Sequence, residues 1–159
     1  MLQLAAALLI AAAPAPPAAA APRTPIPAAF ESVGPDRAAI EALLAAYTRA
    51  VSAKDRVLFE SLLLNTDIPF SGVDQAVRAG GAPGGARNYA DFRRGVFAGP
   101  PFTQRFQDVR IRQDGPLADV SLVFVNSAPD GSNWGWKTLQ LLKVGGRWKI
   151  ASEFYTNHA

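Results

Sequence analysis

The sequence predicts an α+β domain, with helices in its first half and an antiparallel sheet in its second. Three observations carry this. Apolar residues recur early at helical spacing, as Ile40, Leu44, Tyr47 and Val51. From Thr103 onward the period falls to two. The chain then closes with two apolar, β-favouring runs on either side of Gly145-Gly146. Such a pair reads as a hairpin, because glycine reaches the positive backbone angles of a tight turn without steric cost. Helices followed by hairpin-linked strands pack on one face of the sheet.

The first residues stand apart from that domain. No charge occurs before Arg23, Leu2 to Ala13 is apolar apart from Gln3, and Ala/Pro repeats follow. This pattern resembles the core and cleavage region of a secretory signal, with Ala18-Ala19-Ala20 as the best site. Residues 1–20 are expected to be a signal peptide, 21–33 a Pro/Ala-rich linker and 34–159 the domain, which makes the protein periplasmic or secreted. The opening Met1-Leu2-Gln3 lacks the usual basic residue, as it would if the start codon were set too far downstream. Pro14, Pro16 and Pro17 interrupt the apolar run short of the roughly 20 residues a membrane span needs. No membrane association is expected once the signal is removed.

Within the domain, Pro35 suits a first helical turn, and the helix it opens is expected to reach Ser52. Asp55 caps a second helix, Arg56 to Leu64, and Asn65-Thr66-Asp67 turns the chain. Ile68 to Val73 reads as a strand that Pro69 confines to a sheet edge. The glycine-rich stretch from Ala79 to Gly85 matches neither a dinucleotide fingerprint nor a phosphate loop and reads as a surface loop. Asn88 caps a third helix bearing Tyr89, Phe92 and Val96, which Gly99-Pro100-Pro101 stops. Phe106 to Arg112 and Leu117 to Asn126 precede the closing hairpin.

An ideal two-residue turn sets the register of that hairpin. Val144 faces Arg147 and Leu142 faces Lys149, and the same count puts Trp136, Thr138, Gln140, Glu153 and Tyr155 on one side of the sheet. The other side carries Leu139, Leu141, Trp148, Ile150, Ser152 and Phe154. Neither side is wholly polar, so a second covering surface is expected, and a homodimer supplies one.

Composition removes several chemistries. With no cysteine and one histidine, His158, next to the frayed C-terminus, thiol nucleophiles, zinc-thiolate sites and classical triads have no residues to use. No carboxylate cluster suggests a metal, and no cofactor is expected. The net charge of +3 comes mainly from arginine, and seven arginines fall between positions 78 and 112. No nucleic-acid reading motif accompanies them, so they read as a solvated face or an anion-attracting rim, and no nucleic-acid partner is expected.

The order of elements, the segment Ala39 to Leu44 with Tyr47 and Lys54-Asp55, and above all Gly145-Gly146-Arg147-Trp148-Lys149-Ile150 together resemble the nuclear transport factor 2-like superfamily, in its SnoaL-like and lumazine-binding-like branches. The resemblance covers about Asp36 to His158. It implies a cone-shaped, curved antiparallel sheet wrapped on about three N-terminal helices around an apolar pocket, commonly in a dimer, and it implies no single function. Ketosteroid isomerases are similar in placing a tyrosine eight residues before the helix-exit aspartate, where Tyr47 stands relative to Asp55. Sixteen residues beyond that aspartate, where those enzymes keep a base, this chain has Ser71, and the nearby Asp74 is three residues away.

Three readings follow. The first is an exported small-molecule-binding domain without demonstrable chemistry, its pocket lined by Tyr47, Trp136, Gln140, Glu153 and Tyr155 and taking a small apolar molecule. The second is a cofactor-free lyase or isomerase with Tyr47, Asp74 and Glu153 as candidate catalytic groups. The third is a dimeric protein-interaction module with a filled pocket. Glu153 is the carboxylate on which the first two turn, because burial there would raise its pKa.

Overall fold

The computed structural model of the chain describes residues 30–80 and 87–159. The expected signal peptide, its cleavage site and most of the glycine-rich stretch lie outside the described residues. Among the described residues four helices accompany the sheet: α1 (Gly34–Ser52), α2 (Arg56–Leu62), α3 (Val73–Arg78) and α4 (Tyr89–Phe97). The strands are β1 (Phe70–Gly72), β2 (Thr103–Asp114), β3 (Leu117–Ala128), β4 (Gly131–Val144) and β5 (Arg147–Tyr155). They form one sheet in the order β1-β5-β4-β3-β2.

The caps act where the sequence places them. The Asp55 side chain accepts the Leu58 amide at 2.9 Å, and the Asn88 side chain accepts the Ala90 amide at 3.0 Å. Each satisfies a backbone donor that the first helical turn leaves open. The face of α1 carrying Ile40, Leu44, Tyr47 and Val51 is buried against the sheet. Facing it are Ala118, Val120, Leu122 and Phe124 of β3 and Leu139 and Leu141 of β4, all at alternating positions. Opposite the hairpin turn, Asp36 accepts from Lys143 Nζ at 2.6 Å and from Trp148 Nε1 at 3.2 Å, tying the start of α1 to β4 and β5.

Four expectations need correction. The strand near Pro69 is confined to Phe70–Gly72 and the chain then coils into α3, a helix that the sequence reading missed. That short strand is an edge strand as expected, but it runs parallel to β5, so the sheet is mixed rather than wholly antiparallel. Residues 30–33 are not free linker: the Gln113 amide donates to the Phe30 carbonyl at 2.6 Å and the Ser32 amide to the Ile111 carbonyl at 3.3 Å, joining them to β2. His158 is not a loose tail either, because His158 and Trp134 exchange backbone hydrogen bonds of 2.8 and 3.0 Å and their rings lie 4.5 Å apart.

The closing hairpin brings the most consequential change. Its outer pairs match the sequence register, with Val144 opposite Arg147 and Leu142 opposite Lys149. Leu141 then pairs with Ile150 and Gln140 with Ser152, which leaves Ala151 as an extra residue in β5. This is a β-bulge, and one extra residue moves every later side chain to the opposite face. Beyond it Glu153 pairs with Leu139 and Tyr155 with Lys137, on the inner face, while Phe154 turns outward. A second irregularity lies between Gln107 and Arg110 of β2, where Asp108 has a positive φ of 51°. Bulges bend the strands that carry them.

Candidate functional site

Three polar side chains meet inside the apolar core. Tyr47 comes from the inner face of α1, Lys137 from β4 two residues before Leu139, and Glu153 from β5 just past the bulge. Glu153 and Tyr47 are fully buried and Lys137 is 2% exposed. Lys137 Nζ lies 2.6 Å from Glu153 Oε1 and donates to the Tyr47 hydroxyl at 2.6 Å, and that hydroxyl donates to Glu153 Oε1 at 3.0 Å. Glu153 Oε2 is buried and has no hydrogen-bond partner among the described residues.

Such a pair is costly to bury, since removing both charges from water opposes their attraction. Aromatic rings offset part of that cost. The Lys137 ammonium lies 4.5 Å from the Tyr47 ring centre, 5.2 Å from Phe124, 5.6 Å from Phe106 and 5.6 Å from Tyr155. Each ring face presents the negative part of its quadrupole to a cation. Burial pulls the Lys137 pKa down from that of a free lysine, with Glu153 opposing. Burial likewise pushes the Glu153 carboxyl up, with Lys137 and Tyr47 opposing. The proton affinities of amine and carboxylate are therefore brought toward each other, a condition that eases proton transfer between them. Burial first, and then Glu153, holds the Tyr47 phenol far above its ordinary range, so it acts as a neutral donor.

Lys137 also lines a cavity of about 390 Å³. Its walls are Phe92 and Val96 of α4, Phe102, Phe124 of β3 and Tyr155 of β5, with Asp74 and Arg78 of α3 also contributing. A row of amides crosses its sheet side: Gln104 Nε2 donates to Asn126 Oδ1 at 2.8 Å, and Asn126 Nδ2 to Asn133 Oδ1 at 2.8 Å. Gln104 Oε1 is buried with no partner among the described residues. Phe59, Phe92 and Phe97 cluster at 5.3 to 6.4 Å between ring centres, filling part of the cone while leaving this cavity beside Phe92. A larger groove of about 810 Å³ runs between Phe30 and Ile111, but its ionisable side chains, among them Arg110 and Arg112, sit on the surface.

The structure thus divides the residues expected from sequence. Tyr47 and Glu153 meet, and Tyr155 joins them at the cavity wall. Trp136 and Gln140 do not, because the bulge leaves them on the outer face of the sheet, Trp136 57% exposed and Gln140 hydrogen-bonded to Asp119 at 2.8 Å. Asp74 lies on exposed α3, at the cavity rather than in the buried cluster. Ser71 is buried, and its hydroxyl accepts from the Arg87 amide at 3.2 Å. Lys137 was missed as a site residue, although a signal existed: it shares the strand parity of Leu139 and Leu141, which are apolar and inward.

The overall arrangement matches solved structures. A protein of unknown function from Shewanella baltica, described as nuclear transport factor 2-like, superposes with a TM-score of 0.58 at 18% identity, over 78% of this chain and 94% of that one. The chain has the nuclear transport factor 2-like fold. A Novosphingobium aromaticivorans protein provisionally named a scytalone dehydratase matches at TM-score 0.58 and 15% identity, over 78% of this chain and 85% of that one. The CaMKII hub of S. rosetta matches at TM-score 0.60 and 16% identity, over 80% of this chain and 99% of that one. At these identities the likeness concerns the fold alone. No family model and no curated protein matches the sequence.

The cavity predicts an optical result. All three tyrosines are held above their ordinary range: Tyr155 is pushed to about 12 by burial and then Glu153, while Tyr47 and Tyr89 are raised by burial and by their carboxylate partners. Groups raised in the folded state contribute stability that is present below the unfolded pKa, near 10, and lost as pH rises through the folded values. Tyrosinate absorbance is expected to stay flat through pH 10 and to rise only at higher pH, together with unfolding. A tyrosine ionising reversibly near pH 10 in the folded protein contradicts this.

Proposed function

We propose that this protein binds a small, largely apolar molecule in the cavity beside Lys137. The observation that carries the reading is the cavity itself, with aromatic walls and a few convergent polar groups, the composition that binding sites share. Nothing in this reading requires turnover. The lyase or isomerase alternative draws on the same buried carboxylate, and one structural neighbour bears a dehydratase name.

A second copy of the chain is the partner we propose for the outer sheet face. Trp134 and Trp136 are 49% and 57% exposed there, beside Val125 and Val123 on the neighbouring strand. An exposed apolar strip of this kind marks an interaction surface, and another structural neighbour is named a hub. Export follows from residues 1–20 as read above.

Native mass spectrometry of protein recovered from the exported fraction tests all of this at once. The expected spectrum is a dimer of chains beginning near Ala21, each carrying a retained small molecule or accepting benzyl alcohol. The Val96→Trp variant, which fills the cavity, is expected to lose that ligand while staying dimeric. A wild-type protein that accepts no small apolar molecule sinks the binding reading, and a monomer sinks the proposed partner.

A further inference from the structure

Resting on the binding reading above, we propose that the cavity takes an aldehyde or ketone and that Lys137 captures it as an imine. A lysine serves as a nucleophile when it is desolvated in an apolar site and has a base within hydrogen-bond reach. Lys137 meets each condition by position. It is the one lysine lining this cavity among the described residues, its amine touches a carboxylate at 2.6 Å, and aromatic rings surround it. Its contacts engage two of its three protons, toward Glu153 and Tyr47, which leaves one direction for a ligand.

The chemistry balances without any added reagent. Glu153 takes a proton from the Lys137 ammonium. The freed lone pair attacks the carbonyl carbon, and the carbonyl oxygen becomes a hydroxyl by taking up the proton that Glu153 received, Tyr47 donating a hydrogen bond to it or relaying that proton. The resulting carbinolamine nitrogen gives Glu153 a second proton. Glu153 passes it to the hydroxyl, the C–O bond breaks, water leaves, and nitrogen and carbon share the double bond of a protonated imine. An ammonium and a carbonyl thus become an iminium and one water, with Glu153 ionised at start and end. Glu153 Oε2, buried with no partner among the described residues, gives the carboxylate a second oxygen for these transfers.

The test uses benzaldehyde as probe, with sodium cyanoborohydride to fix any imine as a benzylamine. The other three lysines, Lys54, Lys143 and Lys149, act as internal controls because they occupy other sites. Peptide mapping is expected to find the benzyl group on Lys137 at a rate roughly tenfold or more above the other three, because a desolvated lysine beside a base is the better nucleophile. Benzyl alcohol, which fits the cavity but cannot form an imine, is expected to compete. Glu153→Gln is expected to slow labelling of Lys137 and leave Lys143 unchanged. If benzyl alcohol binds but Lys137 stays unlabelled, the imine is overturned and the binding reading stands. If neither ligand binds, both fall. Label spread evenly over the four lysines also overturns the proposal, and this comparison within the wild-type protein holds even where a variant fails to fold.

Discussion

Replacing Lys137 by methionine is expected to destabilise the protein by about 3–5 kcal/mol near neutral pH. Methionine keeps most of the side-chain volume, so the loss measures charge rather than a cavity. Glu153 would then be a buried carboxylate without a cation, still accepting from Tyr47 at 3.0 Å but no longer paired. Such a group escapes by taking a proton, which gives the effect a pH signature. In the native protein Lys137 opposes the upward push of burial on the Glu153 pKa, and without Lys137 only the Tyr47 hydrogen bond still opposes it. A carboxyl raised in the folded state contributes stability that is present below its unfolded pKa of 4.5 and lost as pH rises through the folded value. The variant is therefore expected to approach the native protein near pH 4.5 and to fall away above it.

Urea unfolding across pH measures this, and a companion variant separates charge from packing. Tyr47→Phe/Lys137→Met/Glu153→Leu removes all three polar groups together and leaves none orphaned. Apolar replacement of a whole buried network is near neutral where removal of one member is not. The triple variant is expected within about 1–2 kcal/mol of the native protein. If it is as unstable as Lys137→Met alone, the cluster is held by shape, and the electrostatic account fails. The comparison bears on function too, because a buried cluster whose apolar replacement is neutral is retained for something other than folding.

The fold was legible because it rests on local signals. The period of α1, the Asp55 and Asn88 caps, the Gly145-Gly146 turn and the alternation in β3 and β4 are each decided by a few neighbouring residues. The site was half legible for the opposite reason. Beyond the turn, Trp148, Ile150, Ser152 and Phe154 continue a clean two-residue period, so nothing in the sequence marks Ala151 as an extra residue. The bulge is set by tertiary packing and it decides which of Glu153 and Phe154 enters the core. An ideal register placed Glu153 with Trp136 and Gln140, and the folded chain places it with Leu139, Lys137 and Tyr47. Lys137 was readable in principle, since parity with Leu139 needs no bulge. Lysine is so seldom buried that parity with two inward leucines is a weak signal on its own. The parallel pairing of β1 with β5 is a non-local contact, and a three-residue strand carries too little pattern to announce it.

The second large effect concerns Gly135, where β4 meets the C-terminal tail. Thr156 donates its amide to the Trp136 carbonyl at 2.9 Å and accepts the Trp136 amide on its hydroxyl at 2.9 Å, and His158 continues the pairing with Trp134. Between those contacts Gly135 faces inward, buried, opposite Phe124. A methyl group there would overlap the Thr156 carbonyl and stand 2.8 Å from Phe124 Cε1. Phe124 cannot simply yield, because its ring is a wall of the cavity, sits edge-on to Tyr155 at 5.9 Å and lies 5.2 Å from the Lys137 amine. The backbone carbonyl has less freedom still. Gly135→Ala is therefore expected to cost about 2–3 kcal/mol, the upper part of the range for overpacking, and to free the amides of Thr156 and His158 for hydrogen exchange. Gly95→Ala supplies the contrast: it lies in α4 with open space around it and is expected to stabilise by about 0.5–1 kcal/mol through helix propensity alone. Asn157, between the two freed residues, lines the cavity, so Gly135→Ala should also weaken benzyl alcohol binding while Gly95→Ala leaves it unchanged. Equal stability for the two variants would mean that the tail is not clamped at Gly135. The cavity wall would then end at β5, without the strand-like pairing that carries the chain on to its last residues.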